Sequence, residues 1–300
     1  MRAVTYHEYG DPSVLRVDDV PEPPAGPGQV RIRVQAASIN PIDWKFRAGF
    51  LQEAIPLQLP AIPGRDAAGV VDEVGAGVTG VDLGDRVFGL SEGGTAAEYA
   101  VLTGWALVPE AWTVEQAAAA GVAAETAIRV LDLLGVDAGR TLLIEGAAGG
   151  VGSAAVQIAV SRGAAVIGTA SEGNHAFVRS LGATPTTYGP GLADRVGALA
   201  PAGVDAVFDA VGSGSLAELI KVAPSADDVV TIADPTAQEY GVRLSAGAEP
   251  PTPALVVAAA LGAAGHYVPH VAATYRLEQL GEAHARSQAG HVQGKLVVKI

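Results

Sequence analysis

Up to Pro109 the apolar positions fall in short runs broken by Gly, Pro and Asp. VRIRVQAASI (30–39) alternates in part and is rich in β-branched residues, which predicts a strand. It follows PEPPAGPGQ (21–29), whose prolines and glycines predict a loop. AAGVVDEVG (67–75), DRVFGL (85–90) and EYAVL (98–102) predict further strands separated by Gly/Asp turns. A series of short strands with such turns points to a β-rich domain.

The pattern changes beyond Pro109. TVEQAAAAGVAAETAIRVLDLL (113–134) predicts a long Ala-rich helix with Thr113 as N-cap and Gly135 as its stop. Strands and helices then alternate: strand TLLIEG (141–146), helix VGSAAVQIAVSRG (151–163), strand AAVIGTA (164–170) and helix NHAFVRSLG (174–182). GVDAVFDAV (203–211), SLAELIKVA (215–223) and DDVVTIAD (227–234) continue the rhythm. Continuous apolar strands between helices indicate a parallel sheet covered on both faces. The tail reads as a helix, LEQLGEAHARSQ (277–288), and a last strand, KLVVKI (295–300), expected to return to the first domain.

Composition narrows the function classes. The 300 residues suffice for two domains, each with its own core. No apolar run reaches the ~18–20 residues needed to cross a bilayer, and MRAVTYHEYG lacks a basic stretch followed by an apolar one. The expectation is a soluble protein of the cytoplasm, with no membrane partner. There is no cysteine, which excludes disulfides and thiolate metal sites. A net charge of −13 without any basic block argues against a nucleic-acid partner.

Gly146-Ala-Ala-Gly149-Gly150-Val151-Gly152 directly follows the strand TLLIEG and opens the next helix. Its G-x-x-G-x-x-G spacing is a relative of the dinucleotide fingerprint. Glycines there permit a tight turn and close approach of backbone N–H groups to a pyrophosphate, and the helix N-terminus adds unpaired donors. In a chain with 38 glycines the pattern also describes an ordinary strand-to-helix turn; the strand–turn–helix context and the alternating units that follow favour the dinucleotide reading.

Cofactor type depends on the end of the next strand, where NAD sites carry an Asp or Glu for the ribose. AAVIGTA ends in Ala170 and Ser171, without a carboxylate, while Ser171, Asn174, His175 and Arg179 offer polar groups for a 2′-phosphate. NADPH is therefore the expected cofactor. Glu172 opposes this reading, because an inward carboxylate would repel a phosphate, and His175 and Arg179 read equally well as an exposed helix face.

Several motifs in order carry a resemblance. Ser38-Ile-Asn40-Pro41-Ile-Asp43, Pro63-Gly64-Arg65-Asp66-Ala-Ala-Gly69-Val70-Val71, Val74-Gly75, Gly84-Asp85-Arg86-Val87-Phe88-Gly89, the glycine turn and Gly294-Lys295-Leu-Val-Val resemble the successive signatures of the quinone oxidoreductase branch of the medium-chain dehydrogenase/reductase (zinc-alcohol-dehydrogenase-like) superfamily. The resemblance runs from Met1 to Ile300. It implies an α/β chain: a GroES-like β-rich catalytic domain (1–112 and 266–300) and a Rossmann domain with a doubly wound parallel sheet (113–265), with the active site in the cleft between them. It implies hydride transfer from NADPH to a small-molecule quinone or enone, and a homodimer.

By the same resemblance Asn40 and Thr126 lie at the nicotinamide and Tyr188 near the adenosine phosphate. The strand ends Ala210-Val211-Gly212 and Ile232-Ala233-Asp234 border the cofactor. Asn40 and Asp43 are the catalytic candidates; on their own residues they read equally as a turn made rigid by Pro41, in which Asn and Asp satisfy local backbone. Zinc-using relatives carry Gly-His-Glu where this chain has Gly64-Arg65-Asp66. The six histidines do not cluster with carboxylates at metal spacing, and Pro269 separates His266 from His270. No metal is expected.

The carbonyl oxygen that gains charge needs a donor. Relatives with a tyrosine shortly after Asp43 have one, but Lys45-Phe46-Arg47-Ala48-Gly49-Phe50 does not. Tyr6, Lys45, a cofactor hydroxyl or water remain as candidates, Tyr6 also reading as a packing residue. The acceptor pocket is expected near residues 40–60, 90–96 and 240–270. Two alternatives stand beside a quinone or enone reductase: an enoyl reductase of a biosynthetic pathway, and a non-catalytic NADPH-binding protein with a structural or redox-sensing role.

Overall fold

In the computed structural model, residues 1–247 and 250–300 are described. Strands β1 (Arg2–Thr5) and β2 (Arg16–Asp19) form an antiparallel pair. In β3 (Val30–Ile39), Val30, Ile32 and Val34 are buried and Arg33 and Gln35 exposed, the alternation of a half-covered strand; from Ala36 onward every residue is buried. β3 runs straight into helix α1 (Pro41–Arg47). The expected turn at Asn40–Asp43 is thus the start of a helix. Pro41 at the first helical position presets φ, and the Asp43 carboxylate accepts the Asn40 N–H at 2.8 Å. Strands β4 (Asp66–Val74), β5 (Arg86–Leu90), β6 (Tyr99–Leu102) and β7 (Gly104–Leu107) follow.

Helix α2 (Val114–Leu133) begins with a reciprocal cap: the Thr113 hydroxyl accepts the Gln116 N–H and the Gln116 side chain accepts the Thr113 N–H. Beyond it come β8 (Thr141–Glu145), α3 (Gly150–Ser161), β9 (Ala165–Thr169), α4 (His175–Ser180), β10 (Thr184–Thr186), α5 (Leu192–Leu199), β11 (Ala206–Asp209), α6 (Leu216–Val222), β12 (Val229–Thr231) and β13 (Arg243–Leu244). These six strands form one parallel sheet in the order β10-β9-β8-β11-β12-β13. That is the doubly wound order, with its switch point beside β8, and ligands of such sheets bind beyond the carboxyl ends of the strands there. Leu143, Ile167, Val207 and Val229 of the strands pack on Leu192, Val196, Leu216 and Leu219 of α5 and α6.

The chain continues with α7 (Thr252–Ala263), β14 (Val271–Arg276), α8 (Leu280–Ala289) and β15 (Lys295–Lys299). β15 pairs antiparallel with β3 and parallel with β14. The resulting sheet runs β14-β15-β3-β4-β5-β7, with β6 also on β3. Helix α7 is apolar all round, so it offers no one-sided stripe in the sequence. The helix expected at 277–288 opens as a tight 3-10 turn over Leu277–Gln279 before α8. The chain divides into two compact units, Met1–Val122 with Pro250–Ile300, and Ala123–Glu249. Among the described residues no helix is long and apolar enough to cross a membrane.

Candidate functional site

In the second unit the turn between β8 and α3 is made almost entirely of backbone. Gly146 has φ +78°, and a Cβ there would meet Val211 Cγ2 at 2.3 Å. At Gly152 a Cβ would sit 2.1 Å from the Gly146 carbonyl oxygen, so the turn closes only around glycine. Gly149 differs from both. Its φ of −76° suits any residue, and the nearest atom to an added Cβ is 3.4 Å away. Among the described residues nothing requires glycine at 149, but a side chain there would fill the space over the turn. Gly149 is the N-cap of α3 and has no side chain to offer, leaving the first-turn N–H groups of Gly150, Val151 and Gly152 outside the helical ladder. A bare cradle at a helix N-terminus fits a dinucleotide pyrophosphate.

Around this turn the structure gathers several expected residues. Val211 leans over Gly146, and Gly212 (φ +66°) packs so closely on Ala233 that a Cβ would meet its carbonyl carbon at 2.5 Å. Asp209 shapes this edge: one carboxylate oxygen accepts the Val211 and Gly212 N–H groups, both at 2.9 Å, and the other accepts the Thr231 hydroxyl at 2.7 Å. Ala210 follows as the first residue beyond β11, its N–H bonded to the Glu145 carbonyl, and Ile232 follows β12, its N–H bonded to the Asp209 carbonyl. Beyond β9, Ser171, Asn174 and His175 come together: the Asn174 amide donates to the Ser171 hydroxyl at 3.3 Å, and the His175 ring lies 3.3 Å from the Ala170 carbonyl. Thr169 joins the two groups, accepting the Gly146 N–H at 3.1 Å. Glu172 and Arg179 are exposed.

Two expected residues stand apart from this gathering. Tyr188 is 50% exposed on a loop whose carbonyls, from Thr187 to Pro190, receive the Arg195 guanidinium. Thr126 is buried against the ion pair of Glu125 and Arg129 (2.7 Å). The sequence reading missed that pair, although its i,i+4 spacing was visible. It also missed Glu145, buried at the end of β8, where burial raises its carboxyl against the hydroxyls of Ser213 and Ser215.

In the first unit Asn40 sits at the end of β3, 3% exposed. Its Nδ2 donates to Asp66 Oδ1 at 2.8 Å, and its Oδ1 accepts from the Lys295 ammonium. Lysine only donates and a carboxylate only accepts, so the amide has a single consistent orientation. Asp66, fully buried, also receives the Ser38 hydroxyl at 2.6 Å and the Val122 N–H at 2.8 Å. Asp43 is buried below, and burial pushes its carboxyl up to about 7; Asp66 adds to the rise, while the Asn40 N–H, Lys295 and Arg65 oppose it. Tyr6 is buried, which pushes its phenol up to about 12. Lys45 lies near the Trp44 ring, 5.9 Å from its centroid. Of the expected pocket segments, 248 and 249 lie outside the described residues, and Phe50 and Ile55 are exposed.

The parallel sheet with a bare glycine turn at its switch point, and the β-rich unit with its buried Asn–Asp–Lys cluster, define the two-domain architecture of the medium-chain reductases. Residues 26–122 match the alcohol dehydrogenase GroES-like domain and residues 181–298 the zinc-binding dehydrogenase domain. A 2-methylene-furan-3-one reductase of Solanum lycopersicum is 35% identical over 252 residues, covering 77% of this chain and 62% of the reductase. The chain therefore spans less than two-thirds of the length of that curated relative. The structure of the quinone oxidoreductase from Coxiella burnetii superposes with a TM-score of 0.85 at 31% identity, over 100% of this chain and 99% of that one. The quinone oxidoreductase of Escherichia coli complexed with NADPH superposes with a TM-score of 0.87 at 25% identity, over 100% of both chains. The chain belongs to the quinone oxidoreductase-like branch of the medium-chain dehydrogenase/reductase superfamily, a family of oxidoreductases.

The zinc of the family's name does not fit these residues. The Arg65 guanidinium lies over the Phe46 ring, 5.0 Å from its centroid, the Asn40 oxygen holds an ammonium, and Asp66 is fully engaged. Among the described residues no three His, Cys, Asp or Glu side chains come together to hold a metal.

Proposed function

We propose that this chain reduces a quinone or another α,β-unsaturated carbonyl with NADPH, by direct hydride transfer and without zinc. The observation that carries the reading is Gly149, a glycine that the protein's own packing does not require, at the open N-terminus of α3. The Gly150, Val151 and Gly152 N–H groups would hold the pyrophosphate. Ser171, Asn174 and His175 gather beyond β9 without a carboxylate among them, a set of donors suited to a 2′-phosphate and the basis for NADPH over NADH. Thr126 and Asn40 are assigned to the nicotinamide, Tyr188 to the adenosine phosphate, and Ala210, Val211, Ile232 and Ala233 to the edge along the cofactor.

NADPH, when bound, supplies the hydride. Asn40 is proposed to meet the oxygen of the acceptor as charge develops on it. One of its Nδ2 hydrogens goes to Asp66, and the other remains for that oxygen. Lys295 and Asp66 fix the amide beforehand, so no reorientation opposes the step. Asp43 acts through Asn40, whose N–H it holds, as a positioning residue. The Tyr6 phenol, pushed up to about 12 by burial, is a weak acid, so proton delivery is assigned to Lys45, a cofactor hydroxyl or water. A homodimer in the cytoplasm completes the proposal.

The test is oxidation of NADPH and NADH, followed at the nicotinamide absorbance, across a panel of quinones and enones. Turnover of quinones with NADPH is expected. Tight NADPH binding without turnover on any acceptor would overturn the reductase reading and leave a dinucleotide-binding protein.

A further inference from the structure

Behind Asn40, inside the first unit, a small cavity is lined by polar groups that the sheet cannot satisfy. Its walls include Ser38, Ile39, Asp43, Thr95, His284 and Val298. Thr95 is 0% and His284 1% exposed, yet Thr95 Oγ1 and His284 Nδ1 have no hydrogen-bond partner among the described residues. Asp43 turns one carboxylate oxygen to the Asn40 N–H and keeps further acceptor capacity. The Ser38 hydroxyl gives its proton to Asp66 and retains its lone pairs. Buried polar atoms without partners are rare, because each costs its full desolvation. Here two of them and a carboxyl border one space. The room open to the centre of a water molecule is about 10 Å³, enough for one.

We propose that this cavity is a binding site for a single structural water, held by the Thr95 hydroxyl, the His284 ring and the Asp43 carboxyl. Such a water makes three hydrogen bonds, the usual number for buried water. It joins three segments far apart in sequence: the start of α1, the loop before β6, and α8. Burial lowers the His284 ring to about 3, with the nearby Arg47 acting in the same direction, so the ring stays neutral and Nδ1 accepts or donates according to its tautomer. The water thus fixes Asp43 and, through the Asn40 N–H, the entry into α1. The site stands whether or not the chain is a reductase.

The test is thermal unfolding of Thr95→Val, which keeps the side-chain shape and removes the hydroxyl, beside Thr95→Ser, which keeps the hydroxyl. With the water in place, the valine variant loses about 2–4 °C in Tm and the serine variant lies above it. If the cavity is dry, the Thr95 hydroxyl is merely an unpaired buried group, and valine leaves Tm unchanged or raises it. That outcome, or equal losses in both variants, overturns the proposal. A wild-type crystal structure at high resolution decides the matter independently of how the variants fold. A density peak within hydrogen-bonding distance of Thr95 Oγ1 and His284 Nδ1 supports the site, and a flat map there refutes it.

Discussion

At the turn between β8 and α3 the backbone lies open and its N–H groups have no partners within the helix. At Asn40 the backbone N–H, the carbonyl, the side-chain oxygen and one amide hydrogen are all engaged within the fold. The first region is written in consecutive residues and needs few side chains. The second is assembled from Ser38, Asn40, Asp43, Asp66 and Lys295, which meet only when β3, β4 and β15 lie side by side. A backbone site tolerates change around it but not a side chain within it. A buried polar cluster does not tolerate the loss of a charge that leaves its partner unpaired.

The sharpest way to break this contrast is Lys295→Met. Removing the ammonium leaves Asn40 Oδ1 unpaired and takes from the buried Asp43 one of the two cations, with Arg65, that favour its charge, so a loss of up to about 5 kcal/mol of stability is expected in denaturant unfolding. An unchanged midpoint would show that the cluster is incidental. Lys295→Arg should recover part of the loss.

Asp43 provides a pH readout of the same cluster. Its carboxyl sits at about 7 in the folded chain and near 4 when unfolded. Between those values the folded state holds more proton than the unfolded one, so stability falls as pH rises from about 4 to about 7 and is level above. Asp43→Asn keeps an acceptor for the Asn40 N–H and has no proton to release. Its stability relative to wild type should therefore improve across that window by roughly 4 kcal/mol. Urea unfolding of both proteins from pH 4 to 8 checks this, and parallel profiles would place Asp43 in a wetter setting than its burial indicates.

For the open turn, Gly149→Val should fold with an unchanged Tm yet lose about 100-fold in NADPH affinity, near 2.7 kcal/mol. Gly152→Val, pressed on the Gly146 carbonyl, should instead fail to fold. Titration calorimetry and unfolding curves separate the two, and equal behaviour of the glycines would erase the distinction drawn here. The smallest expected effect is Ser171→Asp. A carboxylate at that place repels a 2′-phosphate and accepts from a ribose hydroxyl, so the NADPH/NADH affinity ratio should fall about tenfold, near 1.4 kcal/mol. An unmoved ratio would relocate the 2′-phosphate.

Much of the framework was legible. The stretch read as a strand at 30–39 is β3 residue for residue, and the Ala-rich helix starts and stops at its expected cap and glycine. The parallel direction of β8, β9, β11 and β12 follows from strand–helix alternation because parallel strands need crossovers, whereas β10, β13 and the strand order were not read from the sequence. Helices α1 and α7 were not legible. Pro41 and Asp43 suit a turn as well as a helix N-terminus, and α7 has no polar face to mark its period. At the candidate site Gly146 and Gly152 could be read because each answers a local demand of backbone geometry, whereas Gly149 answers none. Glu145, His284 and Thr95 could not, since burial alone makes them notable.

The sequence by itself determined the change from short strands to strand–helix alternation, the position of the glycine turn and the absence of thiolate ligands, because these depend on composition and on residues within a few positions of one another. Only the tertiary structure decided which polar groups share a buried space. Lys295 meets Asn40 across 255 positions because the antiparallel register pairs Leu296 with Ile39, and Asp66 meets Asn40 across 26 through the neighbouring strand. Strand register is fixed by the packing of whole faces, not by the residues it brings together, so chemistry that depends on it stays hidden until the sheet is formed.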